Sequence, residues 1–499
     1  MLVDGGDTRC RIAVVTTLSN FIGGQWTELR SGAKRRRSFN PADRTEAVCE
    51  SPDSSAADVE SALAAAQGAF PGWSRTPMPQ RAGLLELLIG QLKQREEPLV
   101  RAITRENGKT LREARLEFVA AIREADFQVG QGRRGSGRSR PCEGPGVQGE
   151  LRREPLGVAA LITPWNFPLN VACRKMIPAL VAGNTCVLKP SELTPWAAAL
   201  LFEAAAAAGL PAGVANLIFG SGAEIGDLLV SHPAVAAVSF TGSTAVGLGI
   251  ARRLAGSPTK LQLELGGKNP LVVLADADLE RAAEAALIGG FSCSGQWCTS
   301  TSRVIVADSI YRAFVERLGA GAKAIAVGAG LDEATRMGPV CGQRQHETIL
   351  KYIATGKAEG ARLVAGGEAL QEGAYGRGWY VAPTVFADVT PTMTIAREEI
   401  FGPVLAVMKA QDLDQAIALA NDTRYGLSAS IYTRDLASAQ RFIAESAVGL
   451  CHVNMHTAYK EPQLEFGGIK ESGRGFPEAG DTGVEFFTRH KAVYLKALA

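Results

Sequence analysis

The chain has 499 residues, 46% hydrophobic and 21% charged, the composition of a globular protein, and it exceeds the roughly 250–300 residues that one core fills, so two or more domains are expected. A formal net charge of +2 gives no electrostatic ground for binding nucleic acid or an anionic membrane, and no run approaches the roughly 20 apolar residues that span a bilayer. Nine cysteines without a Cys-x-x-Cys pair or a His-rich partner segment indicate neither a disulfide framework nor a metal site, and unpaired thiols suggest a reducing, cytoplasmic compartment.

Residues 1–18 carry Asp4, Asp7, Cys10 and an apolar stretch at 12–15 that is too short for a secretory core. They read as a loose N-terminal extension before a globular start at Asn20-Phe21-Ile22. The part from about 55 to 130 is mostly helical, with helices expected at 57–69, 80–95 and 111–127. Residues 131–150 are rich in Gly, Arg, Ser and Pro, which predicts an exposed linker or an excursion that packs only on another subunit. Strands are expected next at 158–162, 185–188, 215–219, 235–240 and 261–265, with helices between them. One helix, at 169–182, is stopped by Gly183; the next is opened by Thr194-Pro195 and closed by Gly209 and Pro211. Such alternation implies a parallel sheet with ligands at the carboxyl ends of its strands. The pattern resumes after Pro270, with strands at 271–274 and 303–307 and helices at 277–289 and 311–324, so a second α/β domain starts near 266. No internal repeat is present.

The chemistry gathers around Cys298, in Gly295-Gln296-Trp297-Cys298-Thr299. Most free cysteines are small buried hydrophobes, but Gly289, Gly290 and Gly295 let the backbone approach closely here, and a thiolate attacking a carbonyl needs its own amide and one more donor for the oxyanion. Asn166, in Thr163-Pro164-Trp165-Asn166-Phe167-Pro168, is the candidate second donor, with a loop asparagine satisfying turn amides as the alternative. Glu264 ends an interior strand before Gly266-Gly267; an acid there is either paired with a cation or tuned as a base. Three turns follow successive strands and could face a dinucleotide: Lys189-Pro190-Ser191-Glu192, the run from Gly220 through Gly222 to Gly226, and Phe240-Thr241-Gly242-Ser243. Each is a weak signal alone.

Together with Glu399-Ile400-Phe401-Gly402-Pro403 and Phe466-Gly467-Gly468, these segments occur in the order found in the aldehyde dehydrogenase superfamily, which the chain resembles over roughly residues 20–496. The resemblance implies an α/β fold with a parallel-sheet nucleotide-binding domain (19–130 and 151–265), an α/β catalytic domain (266–466) and a small oligomerisation element (131–150 and 480–499). It implies NAD or NADP as cofactor, a small-molecule aldehyde as substrate and a homodimer or homotetramer. By residue, it implies Cys298 as nucleophile, Glu264 as the base for the deacylating water, and Asn166 with the Cys298 amide as the oxyanion hole. Lys175 and Glu478 would assist proton relay or order the site, Lys189 and Glu192 would hold the adenosine ribose, and Ser243 would meet the pyrophosphate. Glu399 and Phe401 would position the nicotinamide ribose and ring, with Trp165, Ser191, Gly242 and Leu265 on the same cofactor side and Trp297 and Phe466 beside the substrate.

The run from Phe167 to Lys175, with Thr299 to Arg303, is most similar to the branch acting on 2-oxoglutarate semialdehyde (2,5-dioxopentanoate). That similarity implies Arg174 pairing with a substrate carboxylate and Asn170 adding a hydrogen bond; an arginine facing solvent or bridging subunits is the alternative. Two segments depart from the pattern: 131–150 is poor in strand formers, and His452 to Tyr459, at the substrate entrance in relatives, differs from that branch. Other readings are a dehydrogenase for succinate or glutarate semialdehyde, glycolaldehyde or an aromatic aldehyde, an acylating enzyme passing the acyl group to coenzyme A, a hydrolase, or a non-catalytic binding protein. Glu264, Cys298 and Asn166 would be dispensable in the last, and the acylating branch generally lacks the base.

Overall fold

Helices α1 (Ala56–Arg75), α2 (Met78–Lys93), α3 (Glu96–Asn107) and α4 (Leu111–Arg133) follow a hairpin of the strands Arg35–Asn40 and Asp43–Pro52. The structure, a computed structural model, describes residues 15–28, 34–134 and 137–496. A reciprocal cap starts α4: the Glu113 amide donates to Thr110 Oγ1 at 3.2 Å, and the Thr110 amide donates to Glu113 Oε2 at 2.9 Å. α3 is an addition to the expected helices, framed by Glu96 and Glu97 in its first turn and by Gly108 at φ 90° after its last. Of the expected loose extension, residues 1–14 lie outside the described residues. Thr16–Thr17 pairs in parallel with Cys49 and Glu50, and Leu18 is buried, so the globular part begins before residue 18.

The next stretch alternates strand and helix: Val158–Ile162, α5 (Asn170–Ala182), Thr185–Lys189, α6 (Trp196–Ala207), Ala215–Leu217, α7 (Gly222–Ser231), Val235–Thr241, α8 (Thr244–Arg253) and Lys260–Glu264. These five strands are parallel neighbours. Val158–Ile162 lies at the middle: the chain builds outward on one side through Thr185–Lys189 and Ala215–Leu217, then returns to build the other side with Val235–Thr241 and Lys260–Glu264. That reversal opens a crevice beyond the carboxyl ends of the two central strands, where Trp165-Asn166 and Gly242-Ser243 sit.

Asn269–Val273 starts a second sheet only five positions after Glu264 ends the first. Its seven strands run in parallel except Arg362–Ala365, with Asn269–Val273 flanked by Thr301–Ala307 and Ser428–Tyr432. Helices α9 (Leu279–Phe291), α10 (Tyr311–Lys323) and α11 (Gln343–Ala358) cover it. The segment expected as linker or excursion instead carries strands Arg138–Pro141 and Val147–Pro155, which form a three-stranded antiparallel sheet with Thr488–Lys496. Backbone pairing over the full length of Thr488–Lys496 supplies there what local strand propensity does not. Among the described residues no helix is long and apolar enough to cross a membrane.

Candidate active site

The crevice of the first sheet meets the loops of the second in one cavity of about 270 Å³. Asn166, Arg174, Ser243, Glu264, Cys298 and Phe401 all line it, although they come from six separate segments of the chain. Cys298 is presented by a turn rather than by a helix or strand. Cys293, Ser294 and Gly295 follow one another at φ 51°, 55° and 67°, a left-handed run that is strained for the two residues bearing side chains. Glycine is required at 295, since a Cβ there would lie 2.2 Å from the Gly402 carbonyl oxygen. Glu113, the capping residue of α4, also accepts the Cys293 amide at 2.6 Å, and Asn269 Nδ2 donates to the Cys298 carbonyl at 2.9 Å. The Cys298 amide has no acceptor among the described residues. Burial pushes the Cys298 thiol up to about 12, with Arg174 the main opposing influence.

Asn166 Nδ2 donates one hydrogen to the Gln296 carbonyl at 3.1 Å, which orients the amide and leaves its second hydrogen for another acceptor. The loop that carries it is anchored by a fully buried ion pair, Lys109 Nζ to Glu117 Oε2 at 2.6 Å. Lys109 also donates to the Asn166 carbonyl and lies 3.4 Å from the centre of the Phe167 ring, while Glu117 Oε1 accepts the amides of Leu169 and Asn170 at the start of α5. Breaking one side of such a pair leaves a buried charge alone. Lys109→Met is therefore expected to destabilise by about 3–5 kcal/mol, read as a lower urea midpoint, and Lys109→Met with Glu117→Gln to lose less than the single change. A single variant no less stable than the double would remove the pair from this role.

Glu264 is buried at the end of its strand, and its Oε2 has no hydrogen-bond partner among the described residues. Burial, and then the neighbouring Glu478, raise its carboxyl well above the ordinary range, against Lys175, Arg174 and the Gly468 amide. Lys175 and Glu478 form an ion pair behind it; Lys175 also donates to Ser239 Oγ at 2.8 Å, and Thr241 Oγ1 to Glu478 Oε1 at 3.3 Å.

Arg174 and Asn170, one turn apart on α5, both line the cavity but are engaged with a residue that sequence reasoning missed. Glu124 of α4 receives Arg174 Nε at 2.8 Å and Nη2 at 3.0 Å, and Asn170 Nδ2 at 3.1 Å. Lys460, also missed, donates to Glu124 Oε1 and lies 3.3 Å from Asn170 Oδ1. Burial works to raise the Glu124 carboxyl, yet Arg174 and Lys460 overcome it and hold it at about 2. Arg174 thus neither faces solvent nor has a wholly free fork. The Phe466 ring lies 4.6 Å from the guanidinium, and Trp297 packs on Phe167 with ring centres 5.4 Å apart.

On the opposite wall, Trp165 and Phe401 meet edge to face at 5.4 Å, with Phe401 at φ 55°. Glu399 lies beneath them; burial raises its carboxyl to about 7 against the Gly267 amide, which donates to Oε1 at 2.9 Å. Ser243 precedes α8, makes no capping bond with its side chain, and lines the cavity with Gly242 and Leu265. Phe240 does not face it: its ring is core, packed beneath Gly242. Further along the sheet edge, Lys189 Nζ donates to the Pro190 and Gly220 carbonyls at 2.8 and 3.1 Å, and the Glu192 carboxylate acts electrostatically on both Lys189 and Arg36. Ser191 Oγ accepts the Leu193 amide at 3.3 Å. A Cβ at Gly222 or Gly226 would meet no atom within 4 Å, so the surface over α7 is open.

One signal pointed to the missed acids: Glu117, Glu124 and Gln128 share the buried face of α4, where a helix otherwise places apolar residues. No local signal marks Lys460. Chemically, a thiol, a carboxylate of raised basicity and two oriented N–H donors around one cavity equip the site for acyl chemistry on a carbonyl.

Comparison with known proteins gives the same picture. Residues 26–493 match the profile described as "Aldehyde dehydrogenase family". The chain is 43% identical to an alpha-ketoglutaric semialdehyde dehydrogenase of Bacillus subtilis, covering 96% of this chain and 98% of that protein. It is 42% identical to a 2,5-dioxopentanoate dehydrogenase of Saccharolobus solfataricus, covering 91% and 95%. Among solved structures, an NAD-dependent aldehyde dehydrogenase from Sinorhizobium meliloti superposes with a TM-score of 0.94 at 37% identity, covering 99% of this chain and 97% of that one. A betaine aldehyde dehydrogenase from Staphylococcus aureus in complex with NAD+ gives 0.92 at 34% identity, covering 95% and 94%. With its profile, relatives and fold in agreement over nearly its whole length, the chain belongs to the aldehyde dehydrogenase family.

Proposed function

We propose that the protein oxidises a small carboxylated semialdehyde, of the 2-oxoglutarate semialdehyde type, to the acid, with NAD or NADP as oxidant. The observation that carries the substrate class is Arg174, a buried cation lining the cavity that also holds Cys298; the names of the relatives point the same way. A dinucleotide fits the residues present, because Ser243 keeps its hydroxyl free at the start of a ten-residue helix and the surface at Gly222 and Gly226 is open. In this reading Lys189 and Glu192 hold the adenosine ribose, Ser243 and the α8 amides the pyrophosphate, and Glu399, Phe401 and Trp165 the nicotinamide end. When bound, the nicotinamide accepts the hydride.

The chain's own groups do the rest. The Cys298 sulfur bonds to the aldehyde carbon as its proton passes to the unpartnered Oε2 of Glu264 and on to the Lys175–Glu478 pair behind it, a transfer that Arg174 assists by opposing the rise of the thiol's pKa. The oxyanion forms between the free Cys298 amide and the unused hydrogen of Asn166 Nδ2. Loss of hydride leaves a thioester, and Glu264 takes the proton of the water that cleaves it, using the unpartnered Oε2. Lys175 and Glu478, paired behind Glu264, carry that proton away. We also assign the sheet of Arg138–Pro141, Val147–Pro155 and Thr488–Lys496 to a homodimer or homotetramer contact, supported by the exposed Tyr494 and Leu495. The eight described cysteines, all free thiols, support a cytoplasmic setting.

The test is an initial-rate panel of carboxylated and length-matched neutral aldehydes with NAD and NADP in parallel. A preference for carboxylated aldehydes is expected, and Arg174→Ala is expected to lower the carboxylated-to-neutral ratio of kcat/KM by about tenfold or more, the worth of a hydrogen bond to a charged group. Equal effects on both classes would sink the carboxylate role. Glu192 opposes and Lys189 favours a 2′-phosphate, so the NAD to NADP ratio reports which charge dominates.

A further inference from the structure

We propose that Lys460 is the second cation of the subsite that takes the substrate's tail, acting beside Arg174, and that Glu124 fixes both so that the subsite keeps one uncompensated positive charge and selects an aldehyde with a single carboxylate. This rests on the carboxylated-aldehyde reading and specifies how the tail is recognised.

Three charges meet at one place. Arg174 and Lys460 both bind the buried carboxylate of Glu124, and Asn170 ties all three, accepting from Arg174 Nη2 at 2.8 Å and giving Nδ2 to Glu124. Two cations against one anion leave one positive charge. The adjacent Lys175 and Glu478 neutralise each other. An uncompensated charge held on largely buried side chains at the wall of a cavity is costly unless a ligand answers it.

The unused donors have the right number and location for that ligand. Arg174 engages Nε and Nη2, whereas Nη1 makes no hydrogen bond among the described residues and lies 3.7 Å from Glu478 Oε2. Lys460 Nζ meets two acceptors with three hydrogens. One free donor group on each of two neighbouring cations complements the two oxygens of a carboxylate. Phe466 lies beneath both, 4.6 Å from the Arg174 guanidinium and 5.9 Å from Lys460 Nζ, and offers an apolar face to the methylenes joining tail to aldehyde. Both cations also act on the Cys298 thiol, so tail and reacting carbon lie within one electrostatic neighbourhood. The Lys460 side chain is 20% exposed, which puts it where an entering substrate meets it. A quaternary ammonium aldehyde would be repelled by the same pair.

A purely structural tie between Lys460 and Glu124 would change all substrates alike, so the readout is a ratio. The full-length enzyme and its Lys460→Met, Lys460→Gln and Lys460→Arg variants are assayed with succinate semialdehyde, glutarate semialdehyde and length-matched neutral aldehydes, and glutarate is titrated as a competitive inhibitor. Lys460→Met is expected to lower the carboxylated-to-neutral ratio of kcat/KM by about tenfold or more and weaken glutarate inhibition in parallel, with Lys460→Arg recovering most of both. Lys460→Gln, which keeps a hydrogen bond to Glu124 but no charge, should behave like the methionine variant and serves if that one fails to fold. A ratio unchanged in the Met or Gln variant, with the wild type still preferring carboxylated aldehydes, overturns this inference and leaves the functional reading intact. A wild type without that preference overturns both.

Discussion

Replacing Cys298 by alanine is expected to abolish aldehyde oxidation and ester hydrolysis together, each by about 10⁴-fold or more in kcat, since both need the same covalent bond to sulfur. No other described cysteine lines the cavity that holds Cys298, Cys142 and Cys451 included. Cys49, Cys173, Cys186 and Cys341 are buried, and Cys293, closest in sequence, is buried in the left-handed turn with its amide held by Glu113. The fold should survive: the Cys298 side chain is half-buried and contributes only at the margin of a small cluster of Leu427, Phe466 and Ala479. Circular dichroism and the thermal midpoint should therefore match the wild type. Because burial pushes the thiol up to about 12, alkylation by iodoacetamide of the wild-type peptide that contains Cys298, followed by mass, should quicken steadily as pH rises from 7 to 10, and that labelled peptide should be missing from the alanine variant, while the exposed Cys451 is labelled in both. Oxidation persisting in the variant above about one part in 10³ of wild type would remove Cys298 as nucleophile.

What could be read from the chain depends on how local each feature is. The strands at 158–162 and 185–188 are apolar runs bounded by Gly and Pro, and they fall within a residue of the observed Val158–Ile162 and Thr185–Lys189. Cys298, Asn166 and Glu264 were legible because their glycine- and proline-framed surroundings need an unusual backbone, as the Gly295 contact with Gly402 shows. Lys460 and Glu124 were not, because their meaning is a contact across 336 positions, and a lysine in a loop reads as a solvated charge until its partner is known. The Lys109–Glu117 pair is local, but its purpose depends on the loop at Asn166 that it holds. The strands at Arg138–Pro141 and Val147–Pro155 escaped for a third reason: their stability comes from neighbouring strands, and Arg-Ser-Arg-Pro carries no period of its own.

Glu264→Gln separates the two halves of the reaction. Glutamine keeps the size of the side chain but cannot take a proton. The half-buried Cys298 thiol can still release its own to solvent, so attack and hydride loss should proceed while water cleavage of the thioester stalls. Steady-state kcat is expected to fall by about 10²–10⁴-fold, the range of a lost general base. Reduced nicotinamide should appear in a burst approaching one per active site, and an acyl adduct on Cys298 should be visible by mass. The sign of the pH dependence follows from burial. A carboxyl raised well above its ordinary range is protonated at mildly acid pH and becomes a base only as pH climbs through its elevated value. Deacylation in the wild type should therefore rise with pH over that window, and the variant should be flat there. Stability should move the other way. The folded pKa of Glu264 exceeds its unfolded value, so below the ordinary carboxylate range the residue carries no penalty, and the penalty grows as pH rises toward the folded value and the buried Oε2 is charged without a partner. The neutral glutamine should match or exceed the wild-type thermal midpoint at neutral pH and show no gain at pH 4. A base held at the expense of stability is what a deacylating residue requires, and a variant with wild-type turnover and no adduct would assign that charge to some other purpose.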